Sequence, residues 1–153
     1  MRWRIEQARP EHVPAVAGRM READKREVRA YRRHAPEEAL RFSLARSPVA
    51  WTGFVEDEPV AMWGAAGVSL LSAVGSPWLL GTDGLERAGP VFLRLSRPFV
   101  RLMQRIYPRL ENHVHAGNVL SIRWLKWCGF TLDDVPELFN GEEFYLFWRD
   151  ADV

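Results

Sequence analysis

His113 and His115 stand two residues apart in the stretch LENHVHAGN. On a regular strand they project to one side, and paired imidazoles at that spacing can ligate a metal or act as a general base. No cysteine or acidic cluster of ligand spacing accompanies them, so the simpler expectation is a hydrogen-bonded strand face and no metal. Glu56, Asp57 and Glu58 form an acidic run before Pro59. Such a run suits the tip of a hairpin and can hold an amine near a sheet. Arg94, Arg97, Arg101 and Arg105 recur at helical spacing and offer charge to phosphates, to an acidic surface or to nucleic acid. Cys128 is the one cysteine. Nothing near it in sequence lowers its pKa, so it reads as packing rather than as a reactive thiol.

The elements that must place these residues follow from periodicity. Trp3 and Ile5 alternate with arginines, which predicts a first strand ending before Pro10. Two helices are expected between Glu11 and Arg46, broken at His34–Pro36, with READKREVRAYRRH as a solvated face. VAWTGFVEDEPVAMWGAAGV predicts a hairpin, SPWLLGT a central strand and DGLERAGP a glycine-bearing loop. A helix over Pro90–Tyr107 follows, with Pro98 as a kink. Its predicted core face is Phe92, Leu95, Phe99, Leu102, Met103 and Ile106, opposite the arginines. LENHV is the next strand, and it lies parallel to SPWLLGT because a crossover helix of that length joins parallel neighbours. Asn118 caps a short apolar helix that stops at Gly129, and FTL and FYLFW are the last strands. The loop between those two runs through Pro136 to Gly141. Trp127 and Trp148 are candidates for a protein interface.

Composition narrows the function classes. A chain of 153 residues, 47% apolar and 27% charged, predicts one globular domain over 1–153. A net charge of +1 gives no electrostatic case for nucleic acid or membrane. A single cysteine fits a reducing compartment, and MRWRIEQARP lacks the apolar centre of a signal peptide. Cytoplasm is the expected location.

The spacing Val114, Asn118, Ser121, Trp124-Leu125, Cys128, Gly129-Phe130 resembles the closing motif of the GNAT superfamily of acyl-CoA N-acyltransferases. Gly53–Ala66 is similar to that family's second and third strands with their acidic turn. The resemblance implies an α/β fold: a mixed, mostly antiparallel twisted sheet of six to seven strands with helices on both faces. It implies acetyl-CoA as donor and an amine of a protein or small molecule as acceptor. The backbone of Trp78 to Thr82, including Leu80, Gly81 and Thr82, would pair with the pantetheine arm. Gly84, Arg87 and Gly89 would meet the pyrophosphate, and Asn118 and Ser121 would shape the wall. The chain departs from the family in two places. Its glycine loop lacks the Arg/Gln-x-x-Gly-x-Gly/Ala spacing, and Pro90 removes a backbone donor. The position of the family's acidic tyrosine is Leu125.

Trp78–Phe130 also resembles a small GNAT-like family of short-tailed bacteriophages, through Tyr107, Leu110, Asn112, Val114, Asn118, Ile122-Arg123, Leu125-Lys126 and Gly129. Members of that family are named internal virion or morphogenesis proteins. This implies a phage-encoded GNAT-fold protein in virion assembly, in a bacterial cytoplasm or a virion. Its partners would be virion or host proteins, with acyltransfer lost or weak. The alternative is a working acetyl-CoA-dependent N-acyltransferase.

Overall fold

The computed structural model describes residues 2–68 and 71–151. Period-two alternation gives β1 (Trp3–Gln7), which pairs antiparallel with β2 (Val49–Val55). β2 turns at Glu56-Asp57 into β3 (Glu58–Gly67), and β3 pairs antiparallel with β4 (Val74–Gly81). Both turn residues have positive φ, 50° and 67°. The acidic side chains at this tip are engaged: Glu56 accepts from the Arg2 backbone and Asp57 pairs with Arg2 and Arg4.

Between β1 and β2 run a 3-10 turn (Pro10–His12) and three helices, α1 (Val13–Ala17), α2 (Glu22–Arg32) and α3 (Pro36–Ala45). The break expected at His34–Pro36 falls between α2 and α3, where Arg33 adopts a left-handed φ of 58°. After β4 come α4 (Asp83–Arg87), α5 (Gly89–Ile106), β5 (Arg109–His115) and α6 (Val119–Trp127). The strands β6 (Thr131–Leu132), β7 (Glu137–Phe139) and β8 (Glu142–Asp150) close the chain. The sheet has eight strands in the order β1-β2-β3-β4-β5-β8-β6, with β7 also on β8. The extra strand is β7, in the predicted loop, and it is built by Asn140-Gly141 at φ 50° and 80°. Two residues with positive φ match the twist of a tight hairpin.

β4 and β5 are parallel as expected, and their backbone ladder pairs Val74 with Arg109 and Gly75 with Leu110. Beyond that seam they diverge. α1 and α3 cover one face of the sheet through Val13, Val16 and Leu40. α5 and α6 cover the other through Phe92, Val100, Met103, Trp124 and Leu125.

α5 continues across Pro98, but its buried arc differs from the predicted one. Phe92, Ser96, Val100 and Met103 are buried, while Leu95, Leu102 and Ile106 reach solvent. The reason is α6, which packs alongside. The small Ser96 lies against Cys128, Oγ to Sγ 3.4 Å, so the helix is rolled toward that contact. Asn118 caps α6 and Gly129 leaves it at φ +85°, both as expected.

Candidate active site

The divergence of β4 from β5 opens a gap through the sheet, a cavity of about 120 Å³. β4 contributes Ser76 to Leu80, β5 contributes Asn112 to Val114, and α2, α3 and α6 close it with Glu27, Tyr31, Phe42, Ser121, Trp124 and Leu125. Residues two apart on a strand share an edge. Gly81 turns its N–H and C=O away from β3, because Asp24 Oδ2 accepts from its N–H at 2.9 Å and its C=O accepts from the Arg21 N–H at 2.9 Å. Pro77 turns its C=O the same way, to Asn112 Nδ2 at 3.0 Å. Leu79 lies between them, so its N–H and C=O point at the gap.

α2 supplies the chemistry. Its register puts Glu27 and Tyr31, at i and i+4, on the gap, with Asp24 one turn earlier on the same side of the helix. The sequence pattern placed this helix in solvent, and the structure corrects that. Arg21 and Asp24 are buried, because each polar group finds a partner inside. Asp24 accepts from Arg21 Nη1 at 2.9 Å and from Asn118 Nδ2 at 2.9 Å, besides Gly81. Burial pushes the Asp24 carboxyl up from its ordinary value, against the pull of Arg21, Gly81 and Asn118. Arg21 also reaches Glu86, Nε to Oε1 3.1 Å. Glu27 accepts the His115 backbone N–H at 2.7 Å. Burial, with the charge of Asp24 adding to it, pushes Glu27 from 4.5 up to about 8.

The histidine pair divides its tasks. Tyr31 Oη lies 2.9 Å from His113 Nδ1, and His113 Nε2 bonds Glu137 on β7. These three form a hydrogen-bonded chain from β7 into the gap. Burial raises the Tyr31 hydroxyl above its ordinary pKa, so it is a proton donor at neutral pH. His115 accepts from Gly117 N–H at Nδ1 and bonds Glu142 through Nε2 at 2.7 Å, a structural clamp at the end of β5. Among the described residues no group of three or more His, Cys, Asp or Glu is placed to hold a metal.

The residues singled out from sequence fall in three places. Leu80 and Ser121 line the gap. Gly81 and Asn118 sit in the buried Arg21–Asp24 network at its outer end. Thr82, Gly84 and Arg87 line a second cleft of about 600 Å³, between the α1–α2 connection, the β2–β3 hairpin and the β4–α4 corner. Gly89 is buried at the start of α5, near Leu120. The N–H groups of that corner bond internally. Thr82 donates to Val60 O, Gly84 to Thr82 Oγ1, Leu85 to Thr82 O and Ala88 to Gly84 O. Arg19 and Lys25 of the second cleft pair with Glu58 and Glu22. Leu125 is core. Glu27, Tyr31 and Glu137 were not singled out from sequence. The Asn140-Gly141 dipeptide was the available signal for the hairpin that carries Glu137.

Solved structures share the fold of this chain over nearly its full length. A ribosomal-protein-alanine N-acetyltransferase from Brucella melitensis matches with a TM-score of 0.72 at 14% identity, over 97% of this chain and 99% of that one. The chain has the GNAT acetyltransferase fold. Ard1 from Thermoplasma volcanium matches at TM-score 0.70 and 18% identity, over 100% of both chains. An aminoglycoside acetyltransferase solved with coenzyme A matches at 0.66 and 12%, over 97% of this chain and 95% of that one. No family model and no curated protein matches the sequence. Within the GNAT fold of this chain, no described helix is long and apolar enough to cross a membrane.

Proposed function

We propose that the protein transfers an acyl group from a thioester to an amine within the β4–β5 gap. The observation that carries this reading is the convergence of Glu27 and the Tyr31–His113–Glu137 chain on one cavity. The full-length likeness to acetyltransferases supports it.

Acetyl-CoA is the donor this fold implies, and the gap suits its acyl end. Leu79 offers a strand edge, Trp78, Leu80 and Phe147 offer apolar walls, and Trp124 has a buried indole N–H with no partner among the described residues. Leu79, Leu80, Ser121 and Trp124 would hold its acyl end, and Thr82, Gly84 and Arg87 are the residues that would meet its phosphates. When bound, acetyl-CoA supplies an acyl carbon open to attack by an amine. Glu27 holds a carboxyl poised to take the amine's proton as pH approaches 8. Tyr31 holds a proton at Oη that would go to the thiolate released as the C–S bond breaks, and His113, braced by Glu137, holds that hydroxyl in place. The acceptor is an amine of a protein or small molecule.

A second reading is a virion or morphogenesis protein on a silent GNAT scaffold, and one observation favours the loss of catalysis that it needs. Gly81, on the edge meant for the pantetheine arm, already bonds Arg21 and Asp24. Free thiol release from acetyl-CoA across a panel of amines separates the two. Turnover that falls about a hundredfold in Glu27→Gln and Tyr31→Phe supports the transferase. No acetyl-CoA binding up to millimolar concentration overturns it and leaves the scaffold reading, which then requires the protein in purified particles.

A further inference from the structure

α5 and α6 present a face that the acyl-transfer reading does not use. Neither helix contains an Asp or Glu, and together they carry Arg94, Arg97, Arg101, Arg105, Arg123 and Lys126. All six are exposed, and none forms an ion pair among the described residues. In a chain of net charge +1 this is a strong local excess. Arg97 is held by α6, its Nε on Trp127 O at 3.0 Å and its guanidinium 3.9 Å from the centre of the Trp127 ring.

Beside the arginines runs an apolar stripe. Leu95 and Leu102 are each 37% exposed and Ile106 42%, with Pro98 between them in steps of three and four residues. That spacing keeps one line along a helix and leaves a groove for a second helix to pack against. On its far side the stripe continues into Phe99, whose ring packs tilted against Trp51 with centroids 4.8 Å apart. Arg94, Arg101 and Arg105 border the near side.

We propose that this face docks a helix of a partner protein whose apolar side lies on Leu95, Pro98, Leu102 and Ile106 and whose flank carries Asp or Glu opposite Arg94, Arg101 and Arg105. Charge selects the occupant. A second copy packed through the same face would set arginine against arginine. Nucleic acid would use the cations and leave the aliphatic stripe in water.

The test uses the full chain and a synthetic helical peptide of the same 18-residue length as α5, with Leu at heptad spacing and Glu on the flanks. Matched probes are the same peptide with Lys in place of Glu, a DNA duplex, and phosphatidylserine vesicles. Saturable binding of the acidic peptide that weakens about tenfold in both Leu102→Glu and Arg101→Glu supports the proposal. So does a switch of preference to the Lys peptide in the doubly reversed Arg101→Glu, Arg105→Glu variant. No saturable binding of the acidic peptide at low salt overturns it. Tighter binding of duplex or vesicles than of peptide also overturns it, as does indifference to Leu102→Glu. Circular dichroism of each variant confirms that a lost signal is not lost fold, and because Arg101, Leu102 and Arg105 all lie outside the gap, acyl transfer is unaffected.

Discussion

Glu27→Gln isolates a strongly perturbed group that lines the gap. In the folded chain burial keeps the Glu27 carboxyl protonated up to about pH 8, whereas the ordinary value is 4.5. Below 4.5 both folded and unfolded chains hold this proton, so it contributes nothing to the pH slope. Between 4.5 and 8 the unfolded chain releases it and the folded chain does not, so stability falls as pH rises through that window and levels off above it. The interval of about 3.5 pH units, at about 1.36 kcal/mol each, sets a ceiling of about 5 kcal/mol. Glu27 lines the cavity, and water there lowers the expected effect to about 2–3 kcal/mol. Glutamine keeps an oxygen for the His115 N–H and removes the titration. Urea unfolding at intervals from pH 4.5 to 9 should show the wild type losing that amount relative to the variant, with unchanged slopes against denaturant. Parallel stability curves, or a variant less stable than wild type at pH 9, would refute the burial argument.

Asp24→Ala removes one carboxylate from three donors and leaves the Arg21 guanidinium buried; it should cost about 3–5 kcal/mol in chemical denaturation, with Asp24→Asn recovering part of it. Gly75→Ala places a methyl 2.2 Å from the Tyr107 ring at the end of the β4–β5 backbone ladder, so a loss of about 1–3 kcal/mol and faster amide exchange in β5 are expected. Cys128 is 4% exposed and burial raises its thiol above the ordinary pKa, so a disulfide reagent should label it only at the rate of unfolding, and rapid labelling of the native protein would contradict the packing.

Local signals determined much of the scaffold. Asn118 and Gly129 bound α6 because an amide side chain caps free N–H groups and glycine tolerates positive φ, both properties of single residues. The acidic hairpin, the long helix before β5 and the parallel β4–β5 pair follow from period and turn chemistry in the same way. The site was different. α2 reads as a wet surface because its charges are partnered 57 to 94 positions away, Asp24 by Gly81 and by Asn118, and a sequence pattern counts charges without their partners. The roll of α5 was decided by Ser96 against Cys128 on another helix, 32 residues on. His113 was visible as a candidate, but its role depends on Tyr31 from α2 and Glu137 from β7, which only the closed sheet brings to it. Backbone propensity acts over one turn of chain, so it fixed where elements begin and end. Which polar groups leave water, and which proton each then holds, was set by burial and by contacts that exist only in the folded chain.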